Sequence, residues 1–390
     1  MMKVVRRDEH IIVPDNPALL YSGRIGFAKP EEPTLIYPYS SITTVFTGTS
    51  IDIVVRNHRD CWDNRLGFVI DGVQKCVLLP YDSAVTRINL AKNLEDKEHT
   101  LFLFKRQDGC HYVDFLGFVL SETGDVRAPR RGEIEEVNYA PVERSRADER
   151  IHTPSRHEDA DDIGFLSHRR IEVYGDSVSA GEVSEAIDYV GQADPEHNGE
   201  YSNSYWSYAT IAARMLHAEI HNNSQGGISL LDGTGYFAPP SYVGVETSYD
   251  KLRYVPILGV NNWDFSRYTP HVVIVAIGQN DNFPDDYMAN DYNGQKADNW
   301  RINYQKLLQN LRNRYPNALI ITSTTILEHH ANWDSAIDEV CQKMSDEKIV
   351  HFLYTKNGCG TPGHIRKPEA EKMAEELCTF IEGFGEEIWR

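Results

Sequence analysis

The segment HVVIVAIG, residues 271–278, is apolar at almost every position. A strand that faces solvent on one side alternates apolar and polar residues, whereas a strand of a parallel sheet is buried on both faces. The segment therefore predicts a central strand of a parallel sheet. Such a sheet needs helices on both sides to cover it.

The sequence from residue 169 onward supplies these elements in alternation. Short apolar runs predict further strands at 171–174, 219–222, 318–324 and 349–354. Apolar residues at helical spacing predict helices at 204–218, 299–315, 335–346 and 367–384. Strands that alternate with helices are typical of a doubly wound α/β domain, which we place at 169–390.

Residues 1–126 have a different pattern. Short runs such as LGFVIDG and HTLFLFKRQ are rich in Val, Ile, Phe, Thr and Tyr, and Gly, Asp, Asn or Pro separate them. Frequent short strands with this punctuation predict an all-β sandwich or jelly roll. The fold class is therefore α/β, with an all-β domain in front of the doubly wound sheet.

The segment 127–168 between these domains is charged, contains prolines and is poor in apolar residues. This composition favours a solvated linker. Its length is unusual for a simple connection. A second hypothesis is therefore an arm that crosses to the active site or to a neighbouring subunit of a homo-oligomer.

Charge and cysteine content restrict partners and compartment. A formal net charge of −19 over 390 residues disfavours nucleic acid and anionic membranes as partners. No apolar run approaches the roughly 20 residues of a membrane span. The basic N-terminus lacks the apolar core of a signal peptide, and six cysteines occur without a Cys-x-x-Cys pair. We expect a cytoplasmic protein with free thiols, or a secreted one if a signal has been removed.

The stretch VYGDSVSAG, residues 173–181, places Ser177 directly after a predicted strand. Ligands of open α/β sheets bind at the carboxyl ends of the strands, so Ser177 is a candidate nucleophile. Turns made of Gly, Asp and Ser are also ordinary, and a polar turn residue is the alternative interpretation.

Three further stretches follow predicted strands of the same domain. Gly226 and Gly227 in NNSQGGISL can expose backbone N–H groups to an oxyanion. Asn280 in AIGQND carries an amide donor, and His364 lies in a glycine-rich loop before the last helix. Taken singly, these residues are equally compatible with a glycine turn, a capping asparagine and an exposed loop histidine.

The order of these four blocks resembles the SGNH (GDSL-like) hydrolases, with Ser177, Gly226 or Gly227, Asn280 and His364 in the four positions. Together with the β-rich first domain, the chain is similar to carbohydrate esterase family 2, the two-domain acetylxylan esterases. The resemblance implies a jelly-roll domain followed by an SGNH domain. It also implies a serine esterase that removes O-acetyl groups from acetylated xylan or xylo-oligosaccharides.

The residues fit acyl transfer without a cofactor or metal. Ser177 attacks the acetyl carbonyl, and His364 takes its proton and later gives it to the sugar hydroxyl. The N–H of Ser177, the Gly226/Gly227 turn and the Asn280 side chain form the expected oxyanion hole. The adjacent histidines at 329 and 330 lack the spaced ligands of a metal site.

The sequence departs from the SGNH pattern before the histidine. Many SGNH enzymes have an aspartate two or three residues upstream, where this chain has Pro362 and Thr361. The sequence therefore leaves the group that orients His364 open, and the resemblance to family 2 esterases with a Ser–His dyad offers a backbone carbonyl as one candidate. Trp263 in NNWDFSRYTP resembles the aromatic residue that lines the sugar site of family 2, although a core tryptophan fits as well.

The absent aspartate leaves other functions open. A carbohydrate-binding protein with an inactive SGNH domain is one alternative. A lipid or thioester hydrolase of the same superfamily is another, although no long apolar surface segment supports it.

Overall fold

The structure is a computed structural model that describes residues 9–130, 132–133, 168–255 and 259–390. Most of the predicted linker or arm at 127–168 lies outside these ranges. The boundaries at 1–126, 127–168 and 169–390 therefore stay predictions. Within the described ranges no helix has both the length and the apolar character that crossing a bilayer requires.

The first part of the chain consists of β-strands. They are β1 Glu9–Ile12, β2 Leu20–Ser22, β3 Ile25–Gly26, β4 Thr34–Leu35, β5 Ser41–Thr47, β6 Ser50–His58, β7 Arg65–Ile70, β8 Val73–Leu78, β9 Thr86–Lys92, β10 Glu98–Lys105, β11 Tyr112–Ser121 and β12 Val126–Arg127. They form two six-stranded sheets, one ordered β3-β4-β11-β6-β9 with β1 on β11, the other β12-β5-β10-β7-β8 with β2 on β5. All pairs are antiparallel. The predicted sandwich is confirmed.

Alternate side chains along β10 pack into two different cores, and this shows which sheet of the sandwich contacts the α/β domain. Leu101 and Leu103 point into the core between the two sheets. Phe102 and Phe104, on the opposite face of the strand, belong to the core of the following domain. Both faces of the strand are therefore buried, and one sheet of the sandwich packs against the α/β domain.

The second part contains strands and helices in alternation. The strands are β13 Arg169–Gly175, β14 Ala218–Ser224, β15 Lys251–Arg253, β16 Asn261–Asn262, β17 Val272–Ala276, β18 Leu319–Ser323 and β19 Ile349–His351. The α-helices are α1 Ser177–Ala180, α2 Tyr208–Met215, α3 Val245–Ser248, α4 Tyr287–Asn290, α5 Gln295–Arg314, α6 Asn332–Met344 and α7 Lys367–Glu382. Short 3₁₀ turns occur at Ile187–Tyr189, Ser204–Trp206, Phe265–Arg267, Asn280–Asn282 and Glu386–Trp389.

Five of these strands form one parallel sheet, ordered β14-β13-β17-β18-β19. Helices α5 and α6 cover one face and α2 and α7 cover the other. Along β17, Val273 and Val275 face the first pair, whereas Val272, Ile274 and Ala276 face the second. The doubly wound sheet predicted from the apolar run at 271–278 is confirmed.

The connections after β13 and β17 leave the sheet in opposite directions. The chain passes from β13 to β14 on one side and from β17 to β18 on the other. Such a switch in strand order opens a crevice at the carboxyl edge, where ligands of α/β folds bind. Ser177 follows β13 and Asn280 follows β17, so both lie at this crevice.

A buried ion pair also joins the two domains. Arg24 Nη2 of the sandwich lies 2.9 Å from Glu172 Oε1 of β13, and both side chains are fully buried. The same guanidinium donates to Tyr174 Oη at 2.5 Å and to the carbonyl of Tyr249 at 2.7 Å. These bonds satisfy charges that burial alone would penalise, and they fix the sandwich against the sheet.

Candidate active site

Ser177 begins helix α1 directly after β13. The carboxylate of Asp176 caps the helix by accepting a hydrogen bond from the Val178 N–H at 3.0 Å. Gly181 ends the helix with a φ of 81°, a left-handed conformation that favours glycine. The strand and the short helix therefore hold Ser177, which is 4% exposed, at the floor of the crevice.

His364 meets this serine from the loop before α7. Its Nε2 lies 2.7 Å from Ser177 Oγ, although the two residues are 187 positions apart. This is the distance of a hydrogen bond in which a hydroxyl can pass its proton to an imidazole. The structure thus brings together the two residues that the sequence predicts as nucleophile and base.

Asp194 orients the histidine, and the sequence did not predict it. Its Oδ2 accepts from His364 Nδ1 at 2.6 Å, and its Oδ1 accepts from the backbone N–H of His364 at 2.8 Å. The group that the sequence left open is thus a carboxylate and not a backbone carbonyl. The carboxylate comes from 170 residues upstream instead of from the positions of Thr361 and Pro362.

The bond to Asp194 selects the useful tautomer of the imidazole. With the proton held on Nδ1, Nε2 presents a lone pair to the Ser177 hydroxyl. Gly363 lets the two loops meet, because a Cβ at this position would lie 2.7 Å from Asp194 Oδ1 and 2.5 Å from the carbonyl of Gln192. Ser177, His364 and Asp194 therefore have the geometry of a catalytic triad.

A second histidine lies behind the triad. His197 Nδ1 is 2.5 Å from Glu182 Oε1, and its Nε2 is 3.2 Å from Asp194 Oδ2. Hydrogen bonds to Asp194 and Glu182 raise the pKa of His197 to about 10. The ring is therefore charged at neutral pH. Together with Arg366, whose Nη2 lies 2.9 Å from Asp194 Oδ1, it balances the carboxylates around His364.

The same charges set the protonation of His364. Burial by itself lowers the pKa of His364, but the hydrogen bond to Asp194 and the charges of Glu182 and Asp194 outweigh it and raise that pKa above its ordinary value. Since a general base must be neutral, we expect kcat/KM for an acetyl ester to rise with pH with a midpoint above about 6.5. Initial rates between pH 5 and 9 measure this midpoint.

The variant Glu182→Gln provides the comparison for this profile. It removes one negative charge whose carboxylate lies 4.0 Å from His364 Nε2, so the midpoint should fall relative to the wild type. A wild-type rate that does not change with pH over this range would exclude His364 as the base.

The predicted oxyanion donors differ in their availability. The N–H of Gly226 donates to Asp108 Oδ2 at 2.8 Å and is occupied. The N–H of Gly227 has no acceptor among the described residues, and its φ of 72° requires glycine. The N–H of Ser177 is at the first position of a helix, where no intrahelical acceptor exists. Gly227 and Ser177 are thus the two open backbone donors.

Asn280 lies at the crevice, but its amide is engaged. Its Nδ2 donates to the carbonyl of Ile228 at 3.0 Å and lies 3.4 Å from Asp176 Oδ2. In this conformation the side chain ties the strand end of β17 to the glycine turn and to the cap of α1. A rotation of the side chain is required before it can face an oxyanion.

Trp263 lies away from this group. It is 5% exposed, and its ring packs edge-on at 6.0 Å against His221, in the middle of β14. The guanidinium of Arg267 covers it at 4.7 Å. A sugar needs an exposed indole face, so the core position offers no support for the predicted sugar contact.

A different tryptophan borders the crevice. Trp62, on the loop after β6, is 36% exposed and contacts His197 edge-on at 5.9 Å. It shares a shallow depression with Gln107, Asp108, Ala180, Glu182 and Ser202. Trp62, His197 and Glu182 were not predicted from the sequence. The polar stretch ADPEHNGE at 193–200 was the available signal for a functional loop.

Two groups of described residues bring three possible metal ligands within 4.8 Å of one another: Asp194, His197 and His364, and Cys61, Cys110 and His111. In the first group each imidazole nitrogen already has a partner, namely Ser177, Glu182 or Asp194. These four nitrogens are thus engaged in the hydrogen-bonded series around Ser177.

Comparison with known proteins gives consistent results. Residues 21–129 match the family model for the N-terminal domain of carbohydrate esterase 2. The chain is 25% identical over 383 residues to the cellulase/esterase CelE of Acetivibrio thermocellus, covering 94% of this chain and 39% of that protein. It is 30% identical over 223 residues to an acetylxylan esterase/glucomannan deacetylase of Cellvibrio japonicus, covering 54% and 56%. It therefore spans only part of these relatives.

The fold is that of a solved relative as well. A family two carbohydrate esterase from Clostridium thermocellum, in complex with cellohexaose, matches with a TM-score of 0.69 at 24% identity, over 95% of this chain and 100% of that one. Because the match covers 95% of this chain, both the sandwich and the five-stranded parallel sheet take part in it. The chain is therefore similar to carbohydrate esterase family 2 proteins in two respects: residues 21–129 match the model of that family's N-terminal domain, and the fold is that of a solved member.

Proposed function

We propose that this chain is a serine esterase that removes O-acetyl groups from acetylated xylan or xylo-oligosaccharides. The observation that carries the proposal is the hydrogen-bonded series Ser177–His364–Asp194 at the switch point of the sheet. Nucleophile, base and orienting carboxylate within hydrogen-bond reach of each other are the signature of acyl transfer.

The reaction proceeds in two halves. Ser177 Oγ attacks the acetyl carbonyl carbon while its proton moves to His364 Nε2, and Asp194 stabilises the imidazolium that forms. The N–H groups of Ser177 and Gly227 face the developing oxyanion. The C–O bond to the sugar then breaks, and the sugar oxygen takes the proton from His364. Water repeats the sequence on the acetyl-serine and releases acetate.

The carbohydrate portion of the substrate is inferred from the depression beside the triad. Trp62 exposes part of its ring there, and the side chains of Gln107, Asp108 and Glu182 make its surroundings polar. An aromatic face with a few polar side chains is suited to a sugar, whose apolar face stacks while its hydroxyls form hydrogen bonds. The names of the curated relatives, an acetylxylan esterase/glucomannan deacetylase and a cellulase/esterase, also favour a carbohydrate ester.

The alternative of an inactive, carbohydrate-binding protein was based on the missing aspartate. Asp194 fills that position at 2.6 Å from His364, so the alternative loses its support. A lipid or thioester hydrolase is less favoured, because polar side chains line much of the depression.

Acetate release from acetylated oligosaccharides tests the proposal. We expect the purified chain to release acetate from a panel of positionally acetylated xylo- and manno-oligosaccharides, with the xylose series turned over faster. Hydrolysis of long-chain acyl esters or thioesters, with no acetate from any sugar, would favour the lipid or thioester hydrolase instead.

Substitution of Trp62 tests the sugar contact separately. In Trp62→Ala we expect kcat/KM for an acetylated xylo-oligosaccharide to fall about tenfold, which corresponds to roughly 1.4 kcal/mol of lost stacking. Hydrolysis of 4-nitrophenyl acetate, which lacks the sugar, should change little, and Trp62→Phe should keep most of the activity. Equal losses on both substrates would contradict a sugar-binding role.

A further inference from the structure

Two cysteine thiols lie side by side in the sandwich domain and take no part in the proposed hydrolysis. Cys61 Sγ is 3.6 Å from Cys110 Sγ, across 49 residues of sequence. Cys61 is exposed in the loop after β6, and Cys110 is buried in the loop between β10 and β11. A disulfide holds its sulfurs about 2.05 Å apart, so a small rotation at the exposed cysteine closes the gap.

The two thiols differ in chemical character. A hydrogen bond from Cys110 and the neighbouring imidazole of His111 lower the pKa of Cys61 to about 6, although burial opposes them. The bond to Cys61 and burial raise the pKa of Cys110. Thiol–disulfide exchange begins with an accessible thiolate, so Cys61 is the attacking thiol and Cys110 the resolving one.

The protonation of His111, which lies beside the two cysteines, favours thiol chemistry over metal binding at this site. A ring nitrogen of His111 lies within 4.8 Å of both sulfurs, which a zinc site would also require. However, His111 Nδ1 accepts a hydrogen bond from the Asp60 N–H at 3.2 Å, so the ring proton resides on Nε2. Nε2 is buried, has no hydrogen-bond partner among the described residues and offers no lone pair to a metal.

The pair also has a direct connection to the crevice. The Cys110 thiol lies 2.7 Å from Asp108 Oδ1, and Asp108 Oδ2 accepts from the N–H of Gly226 at 2.8 Å. Cys61 is followed by Trp62, which borders the triad. Formation of a bond between these sulfurs would therefore affect Asp108 on one side of the depression and Trp62 on the other.

We propose that Cys61 and Cys110 form a reversible disulfide by exchange with a low-molecular-weight disulfide such as oxidised glutathione. The Cys61 thiolate attacks one sulfur of the small disulfide, so that a mixed disulfide forms and one thiolate leaves. The Cys110 thiol then loses its proton and attacks Cys61 Sγ, which releases the second small thiol. Two protein thiols and one small disulfide thus become one protein disulfide and two small thiols.

Thiol counting on the full chain tests this proposal without reference to esterase activity. After incubation with oxidised glutathione, we expect the thiols of Cys61 and Cys110 to be lost together, both in the wild type and in the control variant Cys76→Ser, which takes another exposed thiol out of the count. Peptide mapping should show a bond between Cys61 and Cys110, and dithiothreitol should restore both thiols. Cys76 is exposed in the same domain and distant from the pair in sequence, which makes it a matched control.

The single variants separate the two steps. Cys110→Ser should stop at a stable glutathione adduct on Cys61, whereas Cys61→Ser should react much more slowly. A stable adduct on Cys61 in the wild type, or no reaction of either cysteine, would overturn the proposal. Stoichiometric binding of Zn²⁺ by the reduced wild type, lost in Cys61→Ser, would overturn it in favour of a metal site.

Discussion

Replacement of Ser177 by alanine should abolish acetate release, with kcat reduced on the order of 10⁴-fold or more. In the proposed reaction the Oγ atom forms the acetyl–enzyme bond, and no other hydroxyl is hydrogen-bonded to His364 Nε2 among the described residues. Ser177 is 4% exposed, and among the described residues a single hydrogen bond, to His364, holds its Oγ. Alanine therefore fits the site. The measurement is acetate released from an acetylated xylo-oligosaccharide, together with the thermal unfolding midpoint.

Ser179 is the matched control for this variant. Its hydroxyl lies in the same short helix but is 2.9 Å from Tyr208 Oη, on the side away from His364. Ser179→Ala should cost about 1 kcal/mol of stability and leave the rate nearly unchanged. A Ser177→Ala protein that retains more than a few per cent of the activity would disprove the nucleophile assignment.

Asp194→Asn should lower kcat/KM by roughly 10²- to 10⁴-fold. The carboxylate accepts from both Nδ1 and the backbone N–H of His364, and an amide can accept with only one of its two atoms. If its NH₂ group faces Nδ1, the ring proton moves to Nε2, and the lone pair for Ser177 is lost. The measurement is kcat/KM for an acetyl ester as a function of pH, and the midpoint of His364 should fall along with the rate.

Asp188→Asn provides the control, since Asp188 is an exposed carboxylate in the same stretch of chain. It should change neither the rate nor the pH midpoint. If Asp194→Asn keeps the wild-type rate, the role of Asp194 in orienting His364 would be contradicted.

The residues that local patterns could predict are those that follow strands of the sheet. The continuous apolar run at 271–278 predicted a doubly covered strand, and the turn after 171–174 predicted the position of Ser177. His364 was predicted because its loop precedes a helix with clear apolar spacing. In each case the residues that carry the pattern lie within about ten positions of the strand or side chain that they predict.

The residues that the sequence analysis missed depend on contacts between distant loops. Asp194 reaches His364 only because its loop docks against Gly363, and Trp62 belongs to the other domain. Neither contact leaves a periodic signal. At Trp263 the sequence left two interpretations, a buried core residue and a sugar contact, and the structure places the side chain in the core.

The loop that carries Asp194 is held by the sandwich domain. Arg106 donates to the carbonyl of Ser202 at 2.9 Å and to Glu185 at 2.5 Å, and Asp63 donates its N–H to the carbonyl of Asn198 at 3.3 Å. The sandwich therefore helps to hold the proposed catalytic site together and is not a detachable accessory. When such proteins are rearranged during evolution or in engineered fusions, the two domains must be inherited as a single cassette. If the α/β domain were joined to an unrelated sandwich, it would keep Ser177 and His364. It would lose the contacts that hold the loop of Asp194 in place.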